Sequence, residues 1–210
     1  MNERNILLKV LRLDKDIHRE IFQSSGSLRL LLPLYFIYQF ISYYSSQILS
    51  LNYLNNFKIF ISTNSEFIGF SSDEISILLR DIDDLVNIIN TPFQLGDLFS
   101  GTLITIIFVS IYLGIIYIGV KIKKIEVNFT DLVILYLTSV VPKIFYITVL
   151  FTNGSGIQTL LVLTFFMYSL VIRISALKQI YYLNNANAIV LTIWPFILFF
   201  TFGFISSIFI

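Results

Sequence analysis

The sequence has no cysteine and a single histidine, and only 13% of its 210 residues are charged. Without cysteine there is no disulfide framework, thiolate nucleophile or cysteine-based metal site, although nothing follows about redox compartment. One histidine, His18, excludes a two-histidine metal site built from this chain. Soluble domains carry about 25% charged residues. Here the shortfall comes with 56% apolar residues and a mean hydropathy of +0.83, which places the chain in the membrane class. The formal net charge of +1 excludes a strongly basic nucleic-acid surface, and no run interleaves basic with aromatic residues. No cofactor motif is present. Glycine and proline are scarce while Ile, Asn, Phe and Tyr are plentiful, the composition expected of an AT-rich genome such as that of a bacterium or an organelle.

What is present is a series of apolar runs. Met1 to Ser24 precedes them and alternates charged with apolar residues, unlike a cleavable signal peptide, so the first apolar run is expected to stay in the mature protein. Within that segment Ile6, Val10, Leu13, Ile17 and Ile21 recur at steps of three or four, the period of an amphipathic helix over residues 1–26. The other faces carry Arg4, Lys9, Arg12, Lys15 and Arg19 among Glu3, Asp14, Asp16 and Glu20. Two readings fit: a helix lying on anionic lipid, or one packed against the end of a bundle. His18 falls on its charged side and is expected to be exposed. Gly26 and Ser27 then break the pattern.

Residues 27–210 are read as a membrane domain of five spans, at about 28–51, 98–120, 131–152, 157–175 and 189–210, each near the ~20 residues that cross ~30 Å of hydrocarbon. Pro33 falls near the start of the first span, where its missing donor costs little. Gly101, Gly114 and Gly119 in the second are places for close helix approach. Residues 52–97 form a polar, acidic loop, with Asn64 to Ser72 irregular. Inside it Ser71 and Glu74 have capping-box spacing, and Ile75, Leu78, Ile82, Leu85 and Ile89 make residues 71–90 a second amphipathic helix, ended by Thr91 and Pro92. Its acidic face is read as solvated. Asn153-Gly154-Ser155 is read as a tight turn between spans three and four rather than a glycosylation acceptor.

Lysine and arginine set the orientation. They concentrate before span one, after span two at Lys121, Lys123 and Lys124, and after span four, which is bounded by Arg173 and Lys178. The positive-inside rule then puts the N-terminus on the cytoplasmic or stromal side and the C-terminus outside or in a lumen, in a bacterial inner membrane or a plastid membrane. The five basic residues after spans two and four are candidates for lipid-headgroup contact, although topogenic residues commonly look the same.

Pro142 and Lys143 interrupt the third span. The proline removes one helical hydrogen bond and is expected to free the carbonyl of Thr138, and the lysine puts a charge in hydrocarbon with no Asp or Glu deep in any span. At 1.5 Å per residue Lys143 lies ~18 Å from the cytoplasmic end. Lys143, Pro142, Ser139 and Thr138 are therefore the candidate ligand-binding residues. Their structural reading is a lysine satisfied by kinked backbone and by hydroxyls; their functional reading is a site for an anion or lipid headgroup. Ser139 and Lys143, four apart, are conceivable as a catalytic dyad, but no oxyanion hole is suggested, so no catalysis is expected.

The step Ser139-Val140-Val141-Pro142, preceded by Gly119 to Tyr136, and the run Arg173 to Leu183 resemble the Yip domain family of Ypt/Rab-interacting membrane proteins, closest to its prokaryotic branch. The resemblance covers roughly residues 101–210. The Asp-Leu-Tyr-Gly-Pro motif of eukaryotic members is absent; Asp97 and Leu98 followed by Phe99 resemble it only faintly. The resemblance implies a non-catalytic five-span bundle that organises membranes or membrane-protein partners, or that forms homo-oligomers. The alternative is a transporter or channel subunit with a midplane anion site at Lys143.

Overall fold

The structure is a computed structural model that describes residues 8–14, 16–23, 27–90 and 95–208. Glu3, Arg4, Ile6, Lys15 and Gly26, the helix stop at Thr91 and Pro92, and the last two residues of the fifth apolar run lie outside them.

Every regular element among the described residues is helical. After a turn of helix at 8–11 come α1 (Ile17–Gln23), α2 (Ser27–Thr63), α3 (Ser65–Ile68), α4 (Ser72–Ile89), α5 (Leu95–Ile122) and α6 (Phe129–Val140). α6 passes directly into a 3-10 helix, Val141–Phe151, and α7 (Ser155–Tyr181) and α8 (Asn185–Ile208) follow. Among the described residues three stretches are long and apolar enough to cross a membrane: Phe99–Ile122, Phe129–Phe151 and Ser155–Tyr181. The second is the central one, because 72% of its most apolar window is buried against 22% and 28% for the other two.

The amphipathic pattern at the N-terminus does not form one continuous helix. Leu13 takes a left-handed conformation (φ 55°), and the Leu13 and Asp14 amides close back onto Val10 and Lys9 at 3.1 and 3.0 Å. That is a Schellman stop on a non-glycine residue, at about 1 kcal/mol of backbone strain. The turn is offset by packing: it places Val10, Ile17 and Ile21 in one buried cluster with Ala176 and Leu177 of α7. The Tyr168 hydroxyl donates to the Leu11 carbonyl, and the His18 amide donates to Gln179 Oε1 at 3.2 Å. His18 is consequently 0% exposed, contrary to the expectation of a surface residue. Neighbouring charges drew it to the polar side of the helical wheel, and the Leu13 turn places it inward.

The loop expected from residue 52 starts later, because α2 continues to Thr63 and is about 55 Å long at 1.5 Å per residue. Its polar residues are helix-to-helix contacts rather than loop signals. Asn52 Nδ2 donates to Gln158 Oε1 and Asn56 Nδ2 to Ser155 Oγ, both at 2.8 Å, while the Tyr53 and Thr159 hydroxyls pair between the same helices. Lys58 pairs with Asp83 at 2.5 Å, and Gln47 Nε2 donates to the Ile89 carbonyl at 2.5 Å, so α4 lies antiparallel along the far half of α2. The capping box forms: Ser71 N–H donates to Glu74 Oε2 at 2.8 Å and Glu74 N–H to Ser71 Oγ at 3.3 Å. Ile82 faces inward and the acidic residues Asp73, Glu74, Asp81, Asp83 and Asp84 face outward.

Of the three glycines expected at close helix contacts, only Gly119 makes one: a Cβ there would stand 2.3 Å from Leu191 Cδ2 of α8, and nothing lies within 4 Å of Gly101 or Gly114. The helix that carries the fourth apolar run is longer than the expected 157–175. α7 runs to Tyr181, so Arg173 lies eight residues before its end instead of bordering a loop.

Candidate functional site

Helix α6 begins at Asn128, whose side chain accepts the Thr130 amide at 3.1 Å, and runs regularly to Val140. Pro142 cannot donate to the Thr138 carbonyl four residues back, but that carbonyl is not freed: it accepts the Val141 amide. Tightening from four-residue to three-residue hydrogen bonds is how the chain accommodates the proline, and it persists to Phe151. A 3-10 run of 11 residues is unusually long, since such runs seldom exceed three or four.

The switch has two geometric consequences. With three residues per turn, side chains three apart eclipse, so Lys143, Tyr146 and Val149 fall on one buried face. With ~2.0 Å rise per residue in the 3-10 part the stretch from Phe129 to Phe151 is about 40 Å long, and Lys143 is ~22 Å from its start, near the middle. Polar side chains hold the tightened helix from outside. Ser45 Oγ donates to the Tyr146 carbonyl at 3.0 Å, and Gln158 Nε2, fully buried, donates to the carbonyls of Val149 and Thr152 at 3.1 and 2.9 Å.

Lys143 is 7% exposed, with its ammonium 5.6 Å from the Tyr38 ring and 5.2 Å from the Phe166 ring. Arg173 of α7 is 2% exposed. Its guanidinium lies 5.0 Å from the Tyr112 ring and 4.9 Å from the Tyr136 ring, and its Nε donates to Ser139 Oγ at 2.8 Å. Both cations line an open cavity of about 260 Å³ whose other lining residues are Thr105, Phe108, Val109 and Tyr112 of α5, Tyr136 of α6, Phe166 of α7, and Phe196 and Phe199 of α8. Among the described residues no carboxylate lines it. A second, polar cavity of about 180 Å³ shares Thr105 with the first and is lined by Gln39, Ser42, Tyr43, Ser46, Gly101 and Thr102.

A buried cation is tolerable when paired, hydrogen-bonded or stacked on aromatic faces. Stacking partly satisfies both cations here, and Ser139 takes one of the Arg173 donors. The remaining guanidinium nitrogens and the Lys143 ammonium have no hydrogen-bond acceptor among the described residues, which leaves positive potential in a cavity walled by rings. The arrangement suits an anion.

Among the expected site residues, Lys143 lines the cavity, Ser139 anchors Arg173 from behind it, and Pro142 sets the helix switch. Thr138 is buried, but its hydroxyl donates to the Ile134 carbonyl at 2.8 Å and does not reach the cavity. Ser139 Oγ is engaged twice, donating to the Tyr136 carbonyl at 2.6 Å and accepting from Arg173. Arg173 corrects the headgroup expectation: it sits inside the bundle because the helix that carries it extends two turns past it. Lys178, Lys121, Lys123 and Lys124 are exposed. Lys124, at φ 58°, ends α5 in a left-handed turn, so the lysine trio sits where a helix C-terminus favours cations. The cavity's aromatic residues escaped sequence reasoning, since rings are too frequent in this chain to single any out. The inward position of Arg173 has a signal in the chain, because no breaker interrupts the apolar pattern before Asn184.

Fold and site define an all-α protein with helices of membrane-crossing length and apolarity, and a cavity holding two cations at their centre. No family model, curated protein or solved structure matches the chain.

Proposed function

We propose that the protein is a five-span membrane protein that admits an anion to the cavity between α5, α6, α7 and α8 and holds it at Lys143 and Arg173, as a transporter or channel subunit. The observation that carries this reading is a pair of buried cations lining one cavity with no carboxylate beside them among the described residues. Two like charges in hydrocarbon repel and each loses hydration, so a fold that keeps both gains most when an anion arrives. The polar cavity sharing Thr105 supplies a hydrated approach between α2 and α5. The long 3-10 segment is the kind of discontinuity on which transporters build midplane sites.

In this reading the first half of α2 and the described part of α8 are the first and fifth spans. The far half of α2 and α4 then project outside, the N-terminus is cytoplasmic or stromal, and a bacterial inner or plastid membrane is the host. A cysteine replacing Asn153 should then be labelled from outside, and labelling only from inside would reverse the orientation.

The test of function is anion flux in proteoliposomes, read with a chloride- or carboxylate-sensitive dye. Flux that disappears in both Lys143→Met and Arg173→Met supports the reading. A protein that neither binds nor passes anions and co-purifies with membrane-protein partners points instead to the organising role that the Yip resemblance implies.

A further inference from the structure

We infer that the anion is an oxyanion, carboxylate or phosphate, borne on a compact apolar body. This rests on the anion-site reading and narrows its substrate class.

The first argument is the shape of the Arg173 head. With Nε held by Ser139 and rings of Tyr112 and Tyr136 about 5 Å from the guanidinium carbon, the terminal nitrogens are the donors left over. Two parallel N–H groups of a fixed guanidinium match the two oxygens of a carboxylate or phosphate; a spherical halide uses such a fork poorly. Lys143, lining the same cavity, adds a point charge with three rotatable donors.

The second argument is the aromatic wall of the cavity. Phe108 packs on Phe199 at 5.8 Å between ring centroids, and Phe196 on Tyr112 and Phe166 at 5.4 and 6.0 Å. A bare inorganic ion would leave most of the 260 Å³ to water held against these rings. An apolar body displaces that water and gains about 25 cal/mol for each Å² removed from it. The volume falls just under the ~300 Å³ at which pockets for drug-sized ligands begin, so the body is one ring or a short chain.

Two sources offer this chemistry, a water-soluble aromatic acid and a membrane lipid with an anionic head and one chain entering the cavity. The experiment uses the full chain in nanodiscs of phosphatidylcholine and titrates 3-phenylpropionate, 3-phenylpropanol, acetate and chloride by calorimetry. Phenylpropionate should bind at least tenfold more tightly than acetate, which lacks the body, and than phenylpropanol, which lacks the charge. Arg173→Lys, which keeps charge and loses the fork, should weaken phenylpropionate at least tenfold. Phe199→Ala should weaken phenylpropionate and leave acetate unchanged, which keeps the test open if the arginine variant does not fold. A repeat in nanodiscs doped with phosphatidate separates the sources: competition identifies the lipid, and its absence the soluble acid.

Chloride or acetate binding as tightly as phenylpropionate would overturn the inferred class and leave the anion site standing. No binding in any arm would overturn both.

Discussion

Arg173 Nε donates to Ser139 Oγ at 2.8 Å, joining α7 to the last turn of α6 just before the helix switches to 3-10 geometry. The same hydroxyl donates to the Tyr136 carbonyl at 2.6 Å, so one small side chain fixes the guanidinium against the backbone that carries one of its stacking rings. Ser139→Ala removes both bonds and leaves a buried charged donor unpaired, at about 1–3 kcal/mol. Thermal unfolding should shift down accordingly, and carboxylate affinity should fall because the fork is no longer held.

Lys143→Met should move stability and binding in opposite directions. Methionine has nearly the same length and no charge to desolvate, and replacing a buried charge with an apolar residue of similar volume is often neutral or stabilising. The melting temperature should hold or rise, by about 2–4 °C per kcal/mol gained in a chain of this size, while anion binding is lost. A melting temperature several degrees lower would make Lys143 a structural element of the stack on Tyr38 and Phe166, and would remove the main support for a ligand site.

Gly119→Ala places a methyl 2.3 Å from Leu191 Cδ2, a contact that forces the leucine aside. Overpacking of this kind costs about 1–3 kcal/mol. Because the obstacle is the tip of a flexible side chain, Leu191→Ala in the same molecule should recover part of the loss. A double variant measured alongside the singles by thermal unfolding in detergent would show that non-additivity.

His18 makes attachment of the N-terminal helix pH-dependent. Burial lowers its pKa from the usual 6.5 to about 4. Between those values the detached segment binds a proton and the docked one does not, so stability is complete at and above pH 6.5 and is lost as pH falls toward 4. At 1.36 kcal/mol per pH unit the loss is at most about 3 kcal/mol. Amide exchange of residues 17–23 should accelerate across that window, and His18→Leu should flatten the profile.

Several elements were readable from the chain because their causes are local. The capping box at Ser71 and Glu74 needs only two residues three apart, and Phe99–Ile122 and Ser155–Tyr181 announce themselves by length and apolarity. Other residues take roles set by distant partners. Asn52 and Asn56 looked like the start of a loop and instead bond Gln158 and Ser155 on another helix, which no local pattern reports.

The sequence by itself determined a helical, membrane-type chain, a proline that interrupts its central helix and a lysine stranded beside that proline, since composition, hydropathy and proline geometry act residue by residue. Only the tertiary structure decided what surrounds the lysine. The 3-10 helix from Val141 lines Lys143 up with Tyr146 and Val149 on one buried face, and an uninterrupted α7 brings Arg173 to Ser139. Rings from α2, α5, α6, α7 and α8 then converge on two charges that lie 30 residues apart in the chain. Which faces meet depends on how helices pack against one another, and packing is a property of the whole fold.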